Sequence, residues 1–325
     1  MLSIKADNLV KKFGDFVAVN DLSLGVFEGE LFGLLGPNGA GKTTTINMLS
    51  TLLKPTSGSI EVAGFNTSTN STNVRKHIGI VFQETTLDTK LTGYENLDFH
   101  SRMYGLKKEE RKKSIKEVLE IVELADKANI LVENYSGGMK RRLEIARALI
   151  QKPKVLFLDE PTIGLDAQTR RNIWDYIKKL NKKDVTIILT THYMEEADYL
   201  CDRIAIVDHG KIISLDTPAN LKNSVSTDVI VLEISNQSQD IEGFLELLKK
   251  INWIKAIKWK SGMLHLNIKE GSKRIPKLIK LASNFNVIIS SVNLHKPSLE
   301  DVFLKLTGKT IREEDLQPEK VRPMI

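Results

Sequence analysis

Hydrophobic and polar positions alternate through the first thirty residues and then stop alternating. Ile4 to Val10, Phe16 to Val19 and Leu22 to Phe27 read as antiparallel strands with one buried face. Glu30-Leu31-Phe32-Gly33-Leu34-Leu35 is a nearly unbroken apolar run, the pattern of a strand buried on both faces. Similar runs recur at Ile78-Gly79-Ile80-Val81-Phe82, Val155-Leu156-Phe157-Leu158 and Val185 to Thr191. Residues 88–150 are helix-rich, with predicted helices over Thr92 to Tyr104, Lys107 to Val122 and from Ser136 onward. Two further strands, Arg203 to Asp208 and Lys211 to Leu215, flank the tight turn His209-Gly210.

A second pattern begins after residue 220. It reads strand (Val229–Ile234), helix (Ile241–Lys250), strand (Ala256–Trp259), strand (Met263–Ile268), helix (Ser272–Ser283) and strand (Val287–Leu294). That β-α-β-β-α-β order is ferredoxin-like. Pro297-Ser298-Leu299-Glu300-Asp301-Val302-Phe303 opens a last helix with a serine N-cap. Trp253, Trp259 and Phe285 are expected in the core of this domain. The expected organisation is an α/β domain over 1–220, an α+β domain over 221–308 and a charged tail over 309–325.

Chemistry enters with Gly36-Pro37-Asn38-Gly39-Ala40-Gly41-Lys42-Thr43, a complete Walker A phosphate loop between a predicted strand and a helix over Lys42 to about Leu49. Its glycines permit close backbone approach, so successive N–H groups form an anion nest reinforced by the helix dipole. Lys42 is placed for the β- and γ-phosphates, and the Thr43 hydroxyl for Mg²⁺. Asp159 emerges at the C-terminal end of the Val155–Leu158 strand, where open α/β sheets place ligands. A carboxylate there suits Mg²⁺. Glu160, one residue on, is placed to orient or deprotonate a water. Ser136-Gly137-Gly138 starts a helix between these two motifs and is a second phosphate-binding helix terminus.

In the order of these motifs the chain resembles an ABC-type ATPase, the nucleotide-binding subunit of ABC transporters. The resemblance spans residues 2 to about 220. It implies a P-loop NTPase fold with a helical subdomain at about 88–150, ATP and Mg²⁺ as ligands, and a set of site residues. Gln83 matches the Q-loop glutamine, with a metal or catalytic role. Ser136, Gly137 and Gly138 match the signature, Gly164-Leu165-Asp166 the D-loop, and His192 the switch histidine, a catalytic position like Glu160. Phe13 stands where the family stacks its adenine. Thr44 joins Gly36, Pro37, Asn38, Gly39, Ala40, Gly41, Lys42 and Thr43 as nucleotide-binding. Met139 replaces the usual fifth signature residue, glutamine, and Phe13 replaces the commoner tyrosine. With a single Walker A and a single signature, the resemblance implies two ATPase subunits head to tail, as a homodimer or with a paired subunit.

The strings Thr190-Thr191-His192-Tyr193-Met194-Glu195-Glu196-Ala197-Asp198, Leu200 to Ile206 and Pro297 to Phe303 resemble ATPases of ABC-2-type exporters. The partner they imply is an integral-membrane permease, with this chain peripheral on the cytoplasmic face of the membrane. The alternatives are a soluble ABC ATPase acting on nucleic acid, ribosomes or cluster assembly, and a stand-alone ATP-dependent switch. Composition bounds the choice. At 41% hydrophobic and 27% charged, with net charge +6, the chain reads as an ordinary globular protein. No apolar run reaches the roughly 18–20 residues needed to span a bilayer. The start lacks the apolar core of a signal peptide. The lone Cys201 rules out internal disulfides and fits a reducing compartment. Lys and Arg are spread out rather than gathered in tracts, so no nucleic-acid partner is expected.

Overall fold

The computed structural model describes residues 1–182, 184–225, 228–235, 240–260 and 262–308, so the expected tail over 309–325 lies outside the described residues. The chain divides into two compact units, Met1–Pro218 and a second that begins at Ala219.

The first unit opens with two long antiparallel strands, β1 (Leu2–Phe13) and β2 (Phe16–Phe27). The sequence suggested a break near Asn20-Asp21. Instead β2 runs through it, with Asp21 at φ 57° and the pairing slipping by one residue between Leu9↔Leu22 and Lys11↔Val19. This is a β-bulge, which absorbs the extra residue and keeps Val19 and Leu22 buried. Next come β3 (Leu31–Leu35), α1 (Lys42–Leu49), β4 (Ser57–Val62), β5 (Phe65–Asn66), α2 (Ser71–His77) and β6 (Ile78–Val81). Three helices follow: α3 (Gly93–Met103), α4 (Lys108–Ile121) and α5 (Gly137–Leu149). The first two are shorter than the predicted spans because Thr92, Tyr104, Lys107 and Val122 are their caps. Thr92 and Glu95 close a capping box that satisfies two backbone donors at the start of α3.

The chain then returns to the sheet through β7 (Val155–Asp159), α6 (Ala167–Asn181), β8 (Thr186–Thr191), α7 (Met194–Leu200), β9 (Arg203–Asp208) and β10 (Lys211–Asp216). Two sheets result, ordered β2-β1-β4-β5 and β10-β9-β3-β8-β7-β6. In the second, β9, β3, β8, β7 and β6 are mutually parallel and β10 closes one edge antiparallel. Every residue of β3 and β7 is buried. At about 1.5–3 kcal/mol per fully buried large apolar side chain, these strands anchor the unit. Parallel pairing puts the loops after β3, β7 and β8 at one edge of the sheet. That topology gathers residues near 40 with those near 160 and 192, although over a hundred positions of chain separate the first from the other two.

The boundary falls at the first residue of α8 (Pro218–Val225), and the second unit continues through β11 (Asp228–Ile234), α9 (Ile241–Lys249), β12 (Ile254–Lys260), β13 (Met263–Ile268), α10 (Gly271–Ser283), β14 (Ile289–His295) and α11 (Leu299–Thr307). Its antiparallel sheet runs β12-β13-β11-β14, the ferredoxin-like order. Ile230, Leu232, Leu264 and Leu266 of the sheet pack with Phe244, Leu248 and Leu278 of the helices in one core. Ser298 caps α11 as expected, within a capping box closed by Asp301. The expectation for Trp259 fails: it lies on the edge strand β12 and is 40% exposed. Trp253 and Phe285 flank that core half-buried, Trp253 with the Arg274 guanidinium 5.2 Å from its ring.

Candidate active site

The loop Gly36–Gly41 leaves β3 and enters α1. Gly41 stands at φ 98°, and a Cβ there would lie 2.5 Å from the Ala18 carbonyl oxygen. At Gly36 a Cβ would meet the Val207 carbonyl oxygen. Only glycine fits at either position, so β2 and β9 hold the loop by backbone contact. Gly36, Pro37 and Ala40 are buried, while Asn38 and Gly39 face solvent. Lys42 is buried and its Nζ donates to the carbonyls of Gly36 at 2.8 Å and Pro37 at 2.9 Å. The same ammonium lies 3.6 Å from Glu160 Oε1. Thr43 is exposed at the start of α1, and Thr44 is half-buried behind it.

Asp159 ends β7. Its Oδ1 accepts from the Thr43 hydroxyl at 3.1 Å and, in a shorter bond, from Thr190 of β8. Burial pushes the Asp159 carboxyl above the usual range against the pull of those two hydroxyls, and the neighbouring Glu160 charge adds to the rise. Glu160 turns out of the strand at φ 44°, with its N–H donating to Thr190 Oγ1 at 3.0 Å. Its Oε2 lies 3.3 Å from His192 Nδ1. The pair is too poorly aligned for a full hydrogen bond, which leaves these two buried atoms otherwise unpartnered. Burial would raise the Glu160 carboxyl, but His192 and Lys42 together hold it below its ordinary value. Glu160 is therefore an ionised acceptor beside a lysine and an imidazole.

The structure thus brings Lys42, Thr43, Asp159, Glu160 and His192 into one cluster. Gln83 lies just beyond β6, whose Val81 pairs with Leu158, and its side chain is exposed on the same sheet edge. Phe13 is half-buried near the tip of the β1–β2 hairpin, with Lys11 Nζ 5.0 Å from its ring centre. Ser136 caps α5, its hydroxyl accepting from Met139 N–H at 3.2 Å. A Cβ on Gly138 would lie 2.5 Å from Thr169 Cγ2, so α5 sits close against α6. Met139, the departure from glutamine, lines a cavity of about 430 Å³ with Arg142, Asn172 and Tyr176, beside Ser136 and Gly138.

Sequence reasoning missed four residues here. Thr190 bridges Asp159 and Glu160. Arg141 and Glu144 form a buried pair on α5 at 2.9 Å. Glu196 of α7 is fully buried and accepts from Thr162 at 2.7 Å and Trp174 Nε1 at 2.8 Å. The available signal was a polar residue inside an apolar strand, Thr190, and charged residues on helices that bury much of their surface.

The ABC transporter family matches residues 19–163, and the C-terminal domain of ATP-binding proteins like DrrA1-3 matches residues 217–307. The linearmycin resistance ATP-binding protein LnrL of Bacillus subtilis is 40% identical over 313 residues, which cover 95% of this chain and 100% of that protein. The chain belongs to the ABC transporter ATP-binding family. The daunorubicin/doxorubicin resistance ATP-binding protein DrrA of Streptomyces peucetius is 36% identical over 323 residues, covering 98% of each chain. The Nod factor export ATP-binding protein I of Cupriavidus pinatubonensis is 39% identical over 305 residues, 93% of this chain and 90% of that one. Among solved structures, the dimeric ATP-binding cassette MJ0796 in a post-hydrolysis state with ADP and phosphate superposes with TM-score 0.59. It is 32% identical and covers 66% of this chain and 98% of its own. As an ABC ATPase the chain binds ATP and hydrolyses it to drive transport. No helix among the described residues is long and apolar enough to cross a membrane.

Proposed function

We propose that this ATPase powers export by a separate integral-membrane permease of the ABC-2 type. It works as a head-to-tail pair on the cytoplasmic face of the membrane. Full-length similarity to proteins named for drug resistance and Nod factor export supports the export reading. One phosphate loop and one signature per chain, together with the dimeric MJ0796 cassette, support the pair.

The observation that carries the mechanism is the unpartnered pair Glu160 Oε2 and His192 Nδ1, buried 3.3 Å apart beside Lys42. A water set against this carboxylate donates to it, so Glu160, ionised, orients the water and takes its proton. His192 holds that carboxylate in place and faces the γ-phosphate. Lys42 exchanges its two carbonyl partners for phosphate oxygens. The all-oxygen donor set of Thr43 and Asp159, with Gln83 alongside, fits Mg²⁺. An ion held by these residues would supply charge neutralisation at the phosphates. Phe13 stacks on the adenine through its ring face. Ser136, Gly137 and Gly138 cap the γ-phosphate held by the other subunit, using the N-terminus of α5.

Replacing Glu160 with glutamine keeps the shape and removes the base. Glu160→Gln should bind ATP, nearly lose hydrolysis and accumulate as an ATP-bound dimer on size exclusion. Turnover near the wild-type rate would sink Glu160 as the base.

A further inference from the structure

The helix that carries Ser136 also carries a buried ion pair that ATP chemistry as described does not use. Arg141 and Glu144 are 7% and 2% exposed. The Arg141 guanidinium directs its donors to three backbone carbonyls on two other segments. Its Nε donates to the Pro161 carbonyl at 2.7 Å, and its Nη2 to the Asp159 carbonyl at 3.0 Å. Its Nη1 donates to the Phe82 carbonyl at 2.6 Å and to Glu144 Oε2 at 2.9 Å. The other carboxylate oxygen, Glu144 Oε1, accepts from Thr86 N–H at 3.0 Å.

Each of these anchors adjoins a residue of the active site. Asp159 is the proposed metal carboxylate, Pro161 follows Glu160, and Phe82 precedes Gln83. Thr86 lies on the same loop as Gln83. Arg141 itself sits five residues after Ser136 on α5, an axial rise of about 7.5 Å. An apolar pair of equal volume would stabilise a buried position as well as an ion pair does, or better. It would not fix three carbonyls at set angles, which the rigid guanidinium fork does.

We propose that Arg141, held by Glu144, is a positioning residue that registers the signature helix against the Asp159–Pro161 and Gln83 segments of its own subunit. Nucleotide bound at a subunit's own phosphate loop is thereby coupled to the posture of Ser136–Gly138, which serves the opposite site. The inference rests on the head-to-tail reading. When Asp159, Glu160 and Gln83 settle around ATP, their backbone moves α5 through Arg141 or strips partners from a buried charge. The first course is favoured, because an unpartnered buried charge is strongly unfavourable.

The test uses the Glu160→Gln background, where dimer formation by ATP reads closure without turnover. Arg141→Lys keeps the charge, but a single ammonium does not span three carbonyls and a carboxylate. The expected result is a folded Arg141→Lys/Glu160→Gln protein that binds a fluorescent ATP analogue as a monomer within about twofold of its parent. Its ATP concentration for half-maximal dimer should rise roughly tenfold or more. In the otherwise wild-type chain, Arg141→Lys should lower kcat about 10- to 100-fold with little change in monomer affinity. Glu144→Gln should shift the same readouts less.

A purely structural role moves stability, binding and closure together. The paired replacement Arg141→Met/Glu144→Leu separates the two readings, and it carries the same test if Arg141→Lys does not fold. A stable pair variant that still fails to close supports positioning. A stable pair variant that dimerises at the parent's ATP concentration overturns it, as does a folded Arg141→Lys that closes normally. If Glu160→Gln alone does not dimerise with ATP, the head-to-tail reading fails instead.

Discussion

Replacing Thr190 with valine removes one hydroxyl and almost no volume, so its effect isolates a bridge to which no motif assigns a role. Thr190 is fully buried. Its hydroxyl donates to Asp159 Oδ1 and accepts the Glu160 N–H at 3.0 Å. Valine deletes a charge-assisted bond and strands a buried backbone donor. Each loss is worth about 1–3 kcal/mol, for a central expectation of about 4 kcal/mol. For a unit of this size that is a fall in Tm of roughly 8–16 °C. A second effect falls on the metal. Thr190 is one of the two hydroxyls that oppose the upward push of burial on Asp159. Without it Asp159 is a poorer, less ordered ligand, and loss of an outer partner of this kind weakens metal binding roughly 10- to 100-fold. The assay is a thermal melt followed by ATPase rate against Mg²⁺ at fixed ATP. Thr190→Ser, which keeps the hydroxyl, should preserve the Mg²⁺ dependence. A Thr190→Val protein that melts with wild type and needs no more Mg²⁺ refutes the bridge.

Two further outcomes follow from buried contacts. Glu196→Ala should cost about 3 kcal/mol, because Thr162 and Trp174 lose their common acceptor, whereas Glu196→Gln keeps an oxygen there and should cost far less. Burial raises the Glu196 carboxyl from 4.5 despite its hydrogen bonds. The folded state therefore binds a proton that the unfolded chain releases, and this group's contribution falls as pH rises from about 4.5 to its raised value. Urea unfolding against pH should show that slope in wild type and lose it in Glu196→Gln; a slope that persists rejects the assignment. Phe13→Ala should weaken ATP binding by about 1–3 kcal/mol if the ring stacks on adenine, while Phe13→Tyr keeps it. Fluorescent-nucleotide titration decides, and wild-type affinity in Phe13→Ala removes Phe13 from the site.

The α/β core was readable because buried parallel strands announce themselves as unbroken apolar runs. Lys42, Asp159 and Glu160 were readable because their motifs fix both residue type and strand context. The ferredoxin-like unit was readable from element order alone. The bulge in β2 was not, since a polar Asn20-Asp21 pair looks the same in a turn and in a slipped strand. Trp259 was misplaced because a bulky aromatic on an edge strand has no sequence mark separating it from a core one. Thr190, Arg141, Glu144 and Glu196 were invisible for a common reason: each acts through backbone or side-chain partners brought close by tertiary packing. The 3.3 Å approach of His192 to Glu160 is of the same kind, for the sequence supplies both residues but not their distance.

The central claim is that each ATP is held between the phosphate loop of one subunit and Ser136 of another. Lys42→Ala damages one half of a site and Ser136→Arg the other, so either homodimer is defective at both sites. A mixed dimer collects both lesions in one site and leaves the second wild-type. Purified mutants, differentially tagged and mixed with Mg-ATP, should therefore occlude up to one ATP per heterodimer where neither parent occludes any. Heterodimers that form yet occlude no more ATP than their parents would contradict the shared site.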